Sequence, residues 1–325
     1  MEWLGNDSWT FPLRNNIIIK KALNIDFNAF FFIFYIKKYI MVSIIITAYN
    51  VEEYLQQAVE SCVNQTFKDI EIIIVEDCST DSTPIIIQEL MKKDNRIRLI
   101  QNDKNYGAGQ SRRNGLNNAQ GEYFLLLDGD DWIEPNFIED LYTTAKDTDA
   151  DIVSGGIKVL REHGAYDITS YGNIITEGYD KVFKFWKERI VFMNNKLIRT
   201  SLHEKVPYCT RRFVEDTPVI IPMLWYANKV VYIDNVGYNY RMQDESLTHK
   251  ASPLKWAIYR ALCALDLIAF FEEHDKEMLK RINMGSNLTT QINIIKQNKP
   301  TIEDIKEFND AWLELSLKLL IDYSE

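Results

Sequence analysis

The sequence lacks the residue clusters that mark several common kinds of functional site. Its four cysteines form no C-x-x-C pair and its four histidines form no H-E-x-x-H motif. We therefore expect free thiols in a reducing compartment, and neither a zinc site nor a disulfide frame. The sequence has neither a G-x-G-x-x-G motif nor a Walker lysine. These absences exclude a dinucleotide dehydrogenase and a P-loop NTPase.

The chain also lacks an excess of basic residues and a long apolar run. A net charge of −10 over 325 residues argues against general nucleic-acid binding. The apolar run Ala29–Ile36 has eight residues and precedes Lys37 and Lys38, whereas a helix that spans a bilayer needs about 20. No small-residue cleavage site follows, which argues against a signal peptide. We interpret residues 1–41 as an N-terminal extension. Three interpretations are open: non-native sequence upstream of a true start at Met41, an interfacial membrane anchor, or a packed accessory helix.

Strand-like and helix-like segments alternate through the first part of the chain. Runs of β-branched and other apolar residues predict buried parallel strands at residues 42–47, 70–75, 97–100 and 122–127. Amphipathic helical patterns separate these runs, and such alternation is typical of right-handed β-α-β units. We therefore predict an α/β fold with a doubly wound, mostly parallel sheet, in a domain spanning residues 42–250.

The later segments are assigned from the same patterns. Residues 160–178 are polar and predict a loop or a β-excursion over the site, and residues 177–191 predict a helix. Short strands are expected at residues 230–233 and 238–241. Residues 251–325 form a helical C-terminal region, whose amphipathic faces we expect to pack on the core; subunit pairing and membrane contact are the alternatives.

Three carboxylates follow the apolar strand that begins at Phe124. Asp128, Asp130 and Asp131 stand where this strand ends, and ligands bind at the carboxyl ends of strands in open α/β sheets. Acids held close together repel each other unless a cation lies among them. Oxygen ligands suit Mg²⁺ or Mn²⁺, so this motif predicts a metal site for a substrate that carries phosphate.

Further polar groups are expected near this edge. Thr47–Asn50 and Glu76–Ser79 follow the first two strands, so the sheet topology brings both loops towards the acids. Glu215 and Asp216 precede a helical apolar pattern. The partial positive charge of a helix N-terminus favours an ionised carboxylate there.

Six motifs in this order resemble glycosyltransferase family 2. They are Val42–Asn50, Gln65–Phe67, Ile73–Ser82, Arg113–Gly115, Gly121–Asp131 and Glu215–Asp216. The family consists of inverting, nucleotide-sugar-dependent enzymes of GT-A fold. The resemblance covers residues 42–245 and therefore implies a GT-A catalytic domain. Its order makes it more specific than an isolated D-x-D motif.

The resemblance assigns the nucleoside pocket to two loops. Thr47 and Tyr49 match the first of them, and Asp77 matches the acid that binds the uracil imide N–H. One position departs from the family pattern, in which Asp-Asp-Gly-Ser is usual, because Cys78 occupies the glycine position. A cysteine has less backbone freedom than glycine where a positive φ is needed.

In this interpretation the acid motif binds the metal. Asp128 and Asp130 match the family's D-x-D, and Asp131 extends it. A Mn²⁺ or Mg²⁺ at Asp130, assisted by Asp128 or Asp131, would neutralise the charge that develops on the leaving diphosphate.

Asp216 matches the family's catalytic base. It would take the proton of the acceptor hydroxyl during a single displacement that inverts the sugar. Arg113 or its neighbour Arg112 would assist the diphosphate. Residues 240–249 resemble a segment that closes over the diphosphate, with His249 as a candidate ligand.

The expected reaction transfers a sugar from a UDP-sugar donor to a glycan or a lipid-linked oligosaccharide, for cell-surface polysaccharide. We expect a cytoplasmic enzyme, with peripheral contact at the inner face of the cell membrane and no nucleic-acid partner. Two alternatives stay open. A nucleotidyltransferase would more often carry a Gly-rich, basic loop after the first strand, which Ala48–Glu53 is not. A non-catalytic binding module is disfavoured because all the acid sites are intact.

Overall fold

A computed structural model describes residues 42–161, 166–170, 172–188, 192–207, 209, 214–242 and 251–298. The N-terminal extension, His249 and the last amphipathic pattern lie outside these residues. One sheet of ten strands organises the described chain. With the strands numbered in chain order, its main path runs 3-2-1-4-9-6-10-5.

The first four strands of the path are parallel, as predicted, and alternate with helices. The elements are β1 (Val42–Ala48), α1 (Leu55–Val63), β2 (Ile70–Glu76), α2 (Thr83–Lys93), β3 (Ile97–Gln101), α3 (Ala108–Leu116) and β4 (Tyr123–Asp128). Thr47 of β1 lies opposite Asp128 of β4, and Ala48 lies opposite Glu76 of β2. The parallel register therefore brings the predicted polar loops to one edge.

The second half of the sheet is mixed. Its elements are β5 (Trp132–Ile133), α4 (Phe137–Thr148), β6 (Ile152–Leu160), β7 (Tyr166–Thr169), β8 (Ile174–Glu177), α5 (Asp180–Glu188), β9 (Lys196–Arg199), a 3₁₀ helix (Thr200–Lys205), α6 (Thr217–Tyr226) and β10 (Lys229–Arg241). Strand β9 lies antiparallel between β4 and β6. This insertion carries residues 192–196 to the edge where the acids lie.

In this half one predicted alternative, the β-excursion, is found, and two predicted boundaries differ. The β-excursion consists of β7 and β8, which add to the edges of β6 and β10. Glu177 ends β8, where it pairs with Lys229, so the following helix begins at Asp180. The two short strands predicted at residues 230–233 and 238–241 are parts of one strand of 13 residues, β10. Irregularities in the register absorb the polar stretch that interrupts the apolar pattern.

Both faces of the parallel half are buried. Alternate residues of β1 enter different core clusters. Ile44 and Ile46 belong to the cluster that includes residues of α1, α2 and α4, and Ile45 belongs to the cluster that includes residues of α6. This explains why β1 is apolar at nearly every position. The rigid double-sided core fixes the positions from which the edge loops leave the sheet.

The described C-terminal helices cover part of this core. They are α7 (Pro253–His274), α8 (Lys276–Ile282) and α9 (Met284–Asn298). Leu267 and Phe271 of α7 share a cluster with Leu224 of α6, and Leu254 and Ile258 pack with Ile295 of α9. The predicted amphipathic face of α7, which includes Leu254 and Ile258, lies mainly in the cluster with α9, and other residues of α7 contact the main core. The expected packing of that face on the core is therefore met only in part. Across the described ranges, no helix combines the length and apolarity needed to cross a membrane.

Candidate active site

The ends of β1 and β4 are tied together at the acid motif. Thr47 Oγ1 donates a hydrogen bond to Asp128 Oδ1 at 3.1 Å, and the Gly129 N–H donates to the Thr47 carbonyl at 2.9 Å. A Cβ on Gly129 would lie 2.8 Å from that carbonyl oxygen. The glycine is therefore needed for the close approach of the two chains, which directs the following acids away from the strand.

Arg112 lies at the centre of the site. Its guanidinium donates to Asp128 at 2.9 Å, to Glu215 at 2.9 Å and to Asp216 at 2.6 Å. Arg112 is 5% exposed. Burial alone would lower its pKa, but the three carboxylates outweigh burial and hold the pKa well above the ordinary value. One buried cation thus joins the end of β4 to the start of α6.

The two adjacent arginines of α3 lie in different surroundings. The prediction placed Arg113 first, but Arg113 is exposed and its charge acts on His203 of the 3₁₀ helix. Successive residues of a helix point about 100° apart. When Arg112 faces the acids, Arg113 consequently faces away from them.

Asp128 is held as a carboxylate. Burial alone would raise its pKa, but Arg112 together with the hydrogen bonds from Asn194 and Thr47 lowers it below the ordinary value. Asn194 Nδ2 donates to Asp128 Oδ2 at 2.7 Å and to the Tyr238 hydroxyl at 3.1 Å. Neither Asn194 nor Tyr238 carries a local sequence signal beyond its polarity, because both come from the second half of the sheet.

Asp131, a predicted metal ligand, lies in a buried setting. It is 1% exposed, and its two oxygens accept from the Tyr238 hydroxyl at 2.6 Å and from the Arg241 N–H at 2.8 Å. Burial, reinforced by the charges of Asp130 and Asp128, raises its pKa well above the ordinary value. Asp131 therefore links the acid loop to β10 through these two contacts, and its predicted role as a metal ligand stays a prediction.

Asp130 keeps a metal-compatible setting. It is partly exposed, and burial together with the charge of Asp128 raises its pKa to about 6. Its carboxyl therefore lies where a positive charge would be stabilising. Within the described residues no three acids, cysteines or histidines form a metal cage. Mg²⁺ commonly binds through one or two carboxylates and substrate phosphates, so a site built on Asp130 and a diphosphate fits the residues present.

Arg241 fixes the loop that carries Asp130. Its guanidinium lies over the Tyr54 ring at 4.7 Å and over the Trp132 ring at 4.8 Å. Arg241 Nε donates to the Asp130 carbonyl at 3.0 Å, and Nη2 donates to Gln57 Oε1 at 2.9 Å. The predicted closing segment 240–249 thus begins at the acid loop, and its remainder, from residue 243, lies outside the described residues.

Glu215 and Asp216 precede α6, with Asp216 at the N-cap position, as predicted. Burial and the nearby Asp216 raise the pKa of Glu215, and burial raises the pKa of Asp216 against the opposing charge of Arg112. The Met193 N–H contacts Asp216 Oδ2 at 3.4 Å. The two carboxylates share one guanidinium, so the proton affinity of each depends on the charge of the other.

Asp77, which was predicted to bind the nucleoside, accepts hydrogen bonds from other residues of the protein. It is 3% exposed. Its Oδ1 accepts from Asn102 Nδ2 at 2.7 Å and from the Tyr106 N–H at 2.9 Å, and its Oδ2 accepts from the Gly107 N–H at 2.7 Å. Asp77 therefore holds the loop that enters α3, while Tyr49, on the neighbouring loop, is 45% exposed.

Cys78 adopts a positive φ, although a cysteine has less backbone freedom there than the glycine usual in the family. Its φ is +63°, in the left-handed region that favours glycine. We expect Cys78→Gly to raise the free energy of unfolding by about 1 kcal/mol, since it removes the strain of a Cβ at positive φ. Urea unfolding measures this change. Cys78→Ala keeps the Cβ and is the matched control; equal stabilisation by both variants would contradict the strain.

Comparisons with known proteins place this site in a family. The model described as "Glycosyl transferase family 2" matches residues 43–207. Over 294 residues the chain is 28% identical to Glycosyltransferase GlyG of Streptococcus pneumoniae serotype 4, covering 85% of this chain and 95% of GlyG. It is 33% identical over 244 residues to EpsH of Bacillus subtilis, covering 72% of this chain and 70% of EpsH.

A solved structure supports the same fold. The chain aligns with the crystal structure of S. aureus TarS 1-349 in complex with UDP-GlcNAc with a TM-score of 0.62 and 21% identity, covering 85% of this chain and 79% of that one. The fold is therefore the predicted GT-A fold. Since the family model matches about half of the 325 residues, the chain belongs to glycosyl transferase family 2.

Proposed function

We propose that this glycosyltransferase moves one sugar from a UDP-sugar to a hydroxyl group of a glycan or a lipid-linked oligosaccharide, with inversion at the anomeric carbon. The observation that carries the proposal is the bridge made by Arg112 between Asp128 and the Glu215–Asp216 pair. It places the acid motif beside a carboxylate that can accept a proton. A direct displacement needs these two groups on one site.

Asp216 is the proposed base. Burial raises its pKa, so its affinity for a proton is higher than that of an exposed aspartate. The acceptor hydroxyl gives its proton to Asp216 while its oxygen attacks the anomeric carbon, and the bond from that carbon to the UDP oxygen breaks. The leaving UDP takes the bonding electron pair. The positive charge of Arg112 compensates the negative charge of Asp128 and Glu215 next to the base.

Asp130 is the proposed metal ligand, together with diphosphate oxygens. A bound Mg²⁺ or Mn²⁺ would supply charge neutralisation at the leaving diphosphate. The chain's own contribution is to hold Asp130 in place through Arg241, which binds its carbonyl. Asp128 orients Arg112 and Thr47 where β1 and β4 end.

The donor is proposed to be a uridine nucleotide. The TarS complex with UDP-GlcNAc supports this, since it has the same fold. Tyr49 is exposed beside the loop of Asp77 and is placed to stack on a base. Asp77 would hold the loop that enters α3 and would accept a hydrogen bond from the imide N–H of uracil. For the acceptor, the apolar run Ala29–Ile36 followed by two lysines supports contact with the inner face of the cell membrane.

The test is turnover of a donor panel. We expect UDP release from at least one UDP-sugar with Mn²⁺ or Mg²⁺, loss of release with EDTA, and recovery when the metal is restored. Asp130→Asn should lower kcat about 100-fold, in the range of losses seen when a charge-stabilising group is removed. Glu134→Gln, a change in another acid of the same segment, is the control. Unchanged turnover in Asp130→Asn would remove Asp130 from the site, and equal binding of UDP and CDP would contradict the role of Asp77.

A further inference from the structure

A single turn contacts both halves of the site. Residues 192–195 precede β9, and the Met193 N–H lies 3.4 Å from Asp216 Oδ2. The next residue, Asn194, donates to Asp128 Oδ2 at 2.7 Å. The position of this turn therefore sets the position of the proposed base relative to the acid of β4.

A lysine lies beneath this turn. Lys196 is 0% exposed, and its Nζ donates to the Phe192 carbonyl at 2.6 Å and to Asn195 Oδ1 at 2.7 Å. Asn195 is itself anchored, because its Nδ2 donates to the Gly155 carbonyl at 2.5 Å. The ammonium group thus joins the first and last residues of the turn to β6.

A buried ammonium group is costly when it serves only to fill space. Moving such a charge out of water costs several kcal/mol unless a counter-charge or hydrogen bonds compensate it. An apolar side chain of similar volume would fill the position without that cost. In Lys196 the two hydrogen bonds compensate part of this cost, and the charge of Asp216 also acts on the ammonium group.

The charges that surround Asp216 come from four places. Arg112 on α3 and Lys196 on β9 favour its ionised form, while Asp128 on β4 and the adjacent Glu215 oppose it. Burial lowers the pKa of Lys196 to about 7, against the opposing effect of Asp216. Lys196 is thus the second cation that acts on the base, after Arg112.

We propose that Lys196 is a positioning residue for the transfer reaction, which holds the 192–195 turn against Asp216 and Asp128 and supplies positive charge behind the base. It touches neither donor nor acceptor in this role. The inference rests on the proposed function, because it assigns Asp216 as the base.

The test compares Lys196→Met with Lys181→Met. Lys181 is also buried and also donates to backbone carbonyls, those of Ala227 and Trp225, and the acids that act on it are Asp151 and Glu177. We expect Lys196→Met to lower kcat about tenfold at pH 7, with little change in KM for the donor. The acidic limb of its kcat profile should move to higher pH by about one unit, since a nearby cation is lost. Lys181→Met should leave that limb in place.

A second measurement does not depend on turnover. The carboxyl signal of Asp216 in ¹³C-aspartate NMR spectra, identified by its absence in Asp216→Asn, should titrate at higher pH in Lys196→Met than in Lys181→Met. If Lys196→Met does not fold, Lys196→Gln replaces it, because its amide can still donate to the Phe192 carbonyl without carrying charge.

The outcomes separate the two proposals. A wild-type protein that releases no UDP from any donor contradicts the proposed function, while the NMR titration still decides the role of Lys196. An active wild-type protein with the same acidic limb and the same Asp216 titration in the Lys196 variants would overturn the positioning role alone.

Discussion

Asp216→Asn is expected to lower kcat about 1,000-fold and to leave UDP affinity within a factor of about three. The amide keeps the size of the side chain but cannot accept the acceptor proton, and a positioned base contributes roughly 10²- to 10⁴-fold. UDP binding should survive because the contacts at Asp77 and Asp128 belong to other elements. Steady-state kinetics with the best donor and calorimetric titration of UDP measure the two effects.

Glu215→Gln is the matched control for this substitution. Glu215 shares Arg112 with Asp216 and precedes the same helix, so both changes remove one carboxylate from the same cluster. We expect Glu215→Gln to keep kcat within about tenfold of the wild type, because the general-base effect belongs to one carboxylate. If Glu215→Gln abolishes turnover and Asp216→Asn does not, the base is Glu215.

The parallel half of the sheet was predictable from local pattern alone. The strands that flank the site, β1 and β4, are buried on both faces, and a β-branched or apolar residue at nearly every position has few other interpretations. Once the strands are parallel, their carboxyl ends must share an edge. This is why Thr47 and Asp128 could be placed together before their hydrogen bond was seen.

The roles of adjacent charged residues were harder to predict. Arg112 and Arg113 differ only in the direction in which α3 presents them, and Asp130 and Asp131 differ only in which one meets Tyr238. Such choices depend on the rotation of a helix or a turn, which a pattern of a few residues leaves open. The antiparallel insertion of β9 between β4 and β6 was also not predictable, because pairing between distant segments is not encoded in either segment alone.

Arg112→Met is expected to lower the free energy of unfolding by about 3 to 5 kcal/mol. The variant removes the cation shared by Asp128, Glu215 and Asp216, and breaking a buried ion pair from one side leaves uncompensated charge. Arg113→Met is the control on the same helix. Arg113 is exposed, so its loss should change stability by less than about 0.5 kcal/mol. Chemical denaturation of the wild type and both variants measures the difference.

The defect of Arg112→Met should also depend on pH. In the wild-type folded state, burial alone would raise the pKa of Asp128, but the charge of Arg112 outweighs burial and the pKa is lowered. The stability that Asp128 contributes is thus present above its unfolded pKa and is lost as pH falls through its folded pKa. Without Arg112, burial would raise the same pKa and disfavour the ionised folded state.

The gap between the free energies of unfolding of the wild type and Arg112→Met should therefore be largest near pH 7. It should narrow as pH falls towards the folded-state pKa of Asp128 in the wild type, which lies below its ordinary value. Adding Asp128→Asn to Arg112→Met removes the carboxylate whose pKa Arg112 lowers, so the double variant should recover part of the lost stability. A gap that is independent of pH, with no recovery in the double variant, would mean that Arg112 stabilises the fold through packing and not as the cation of the acid cluster.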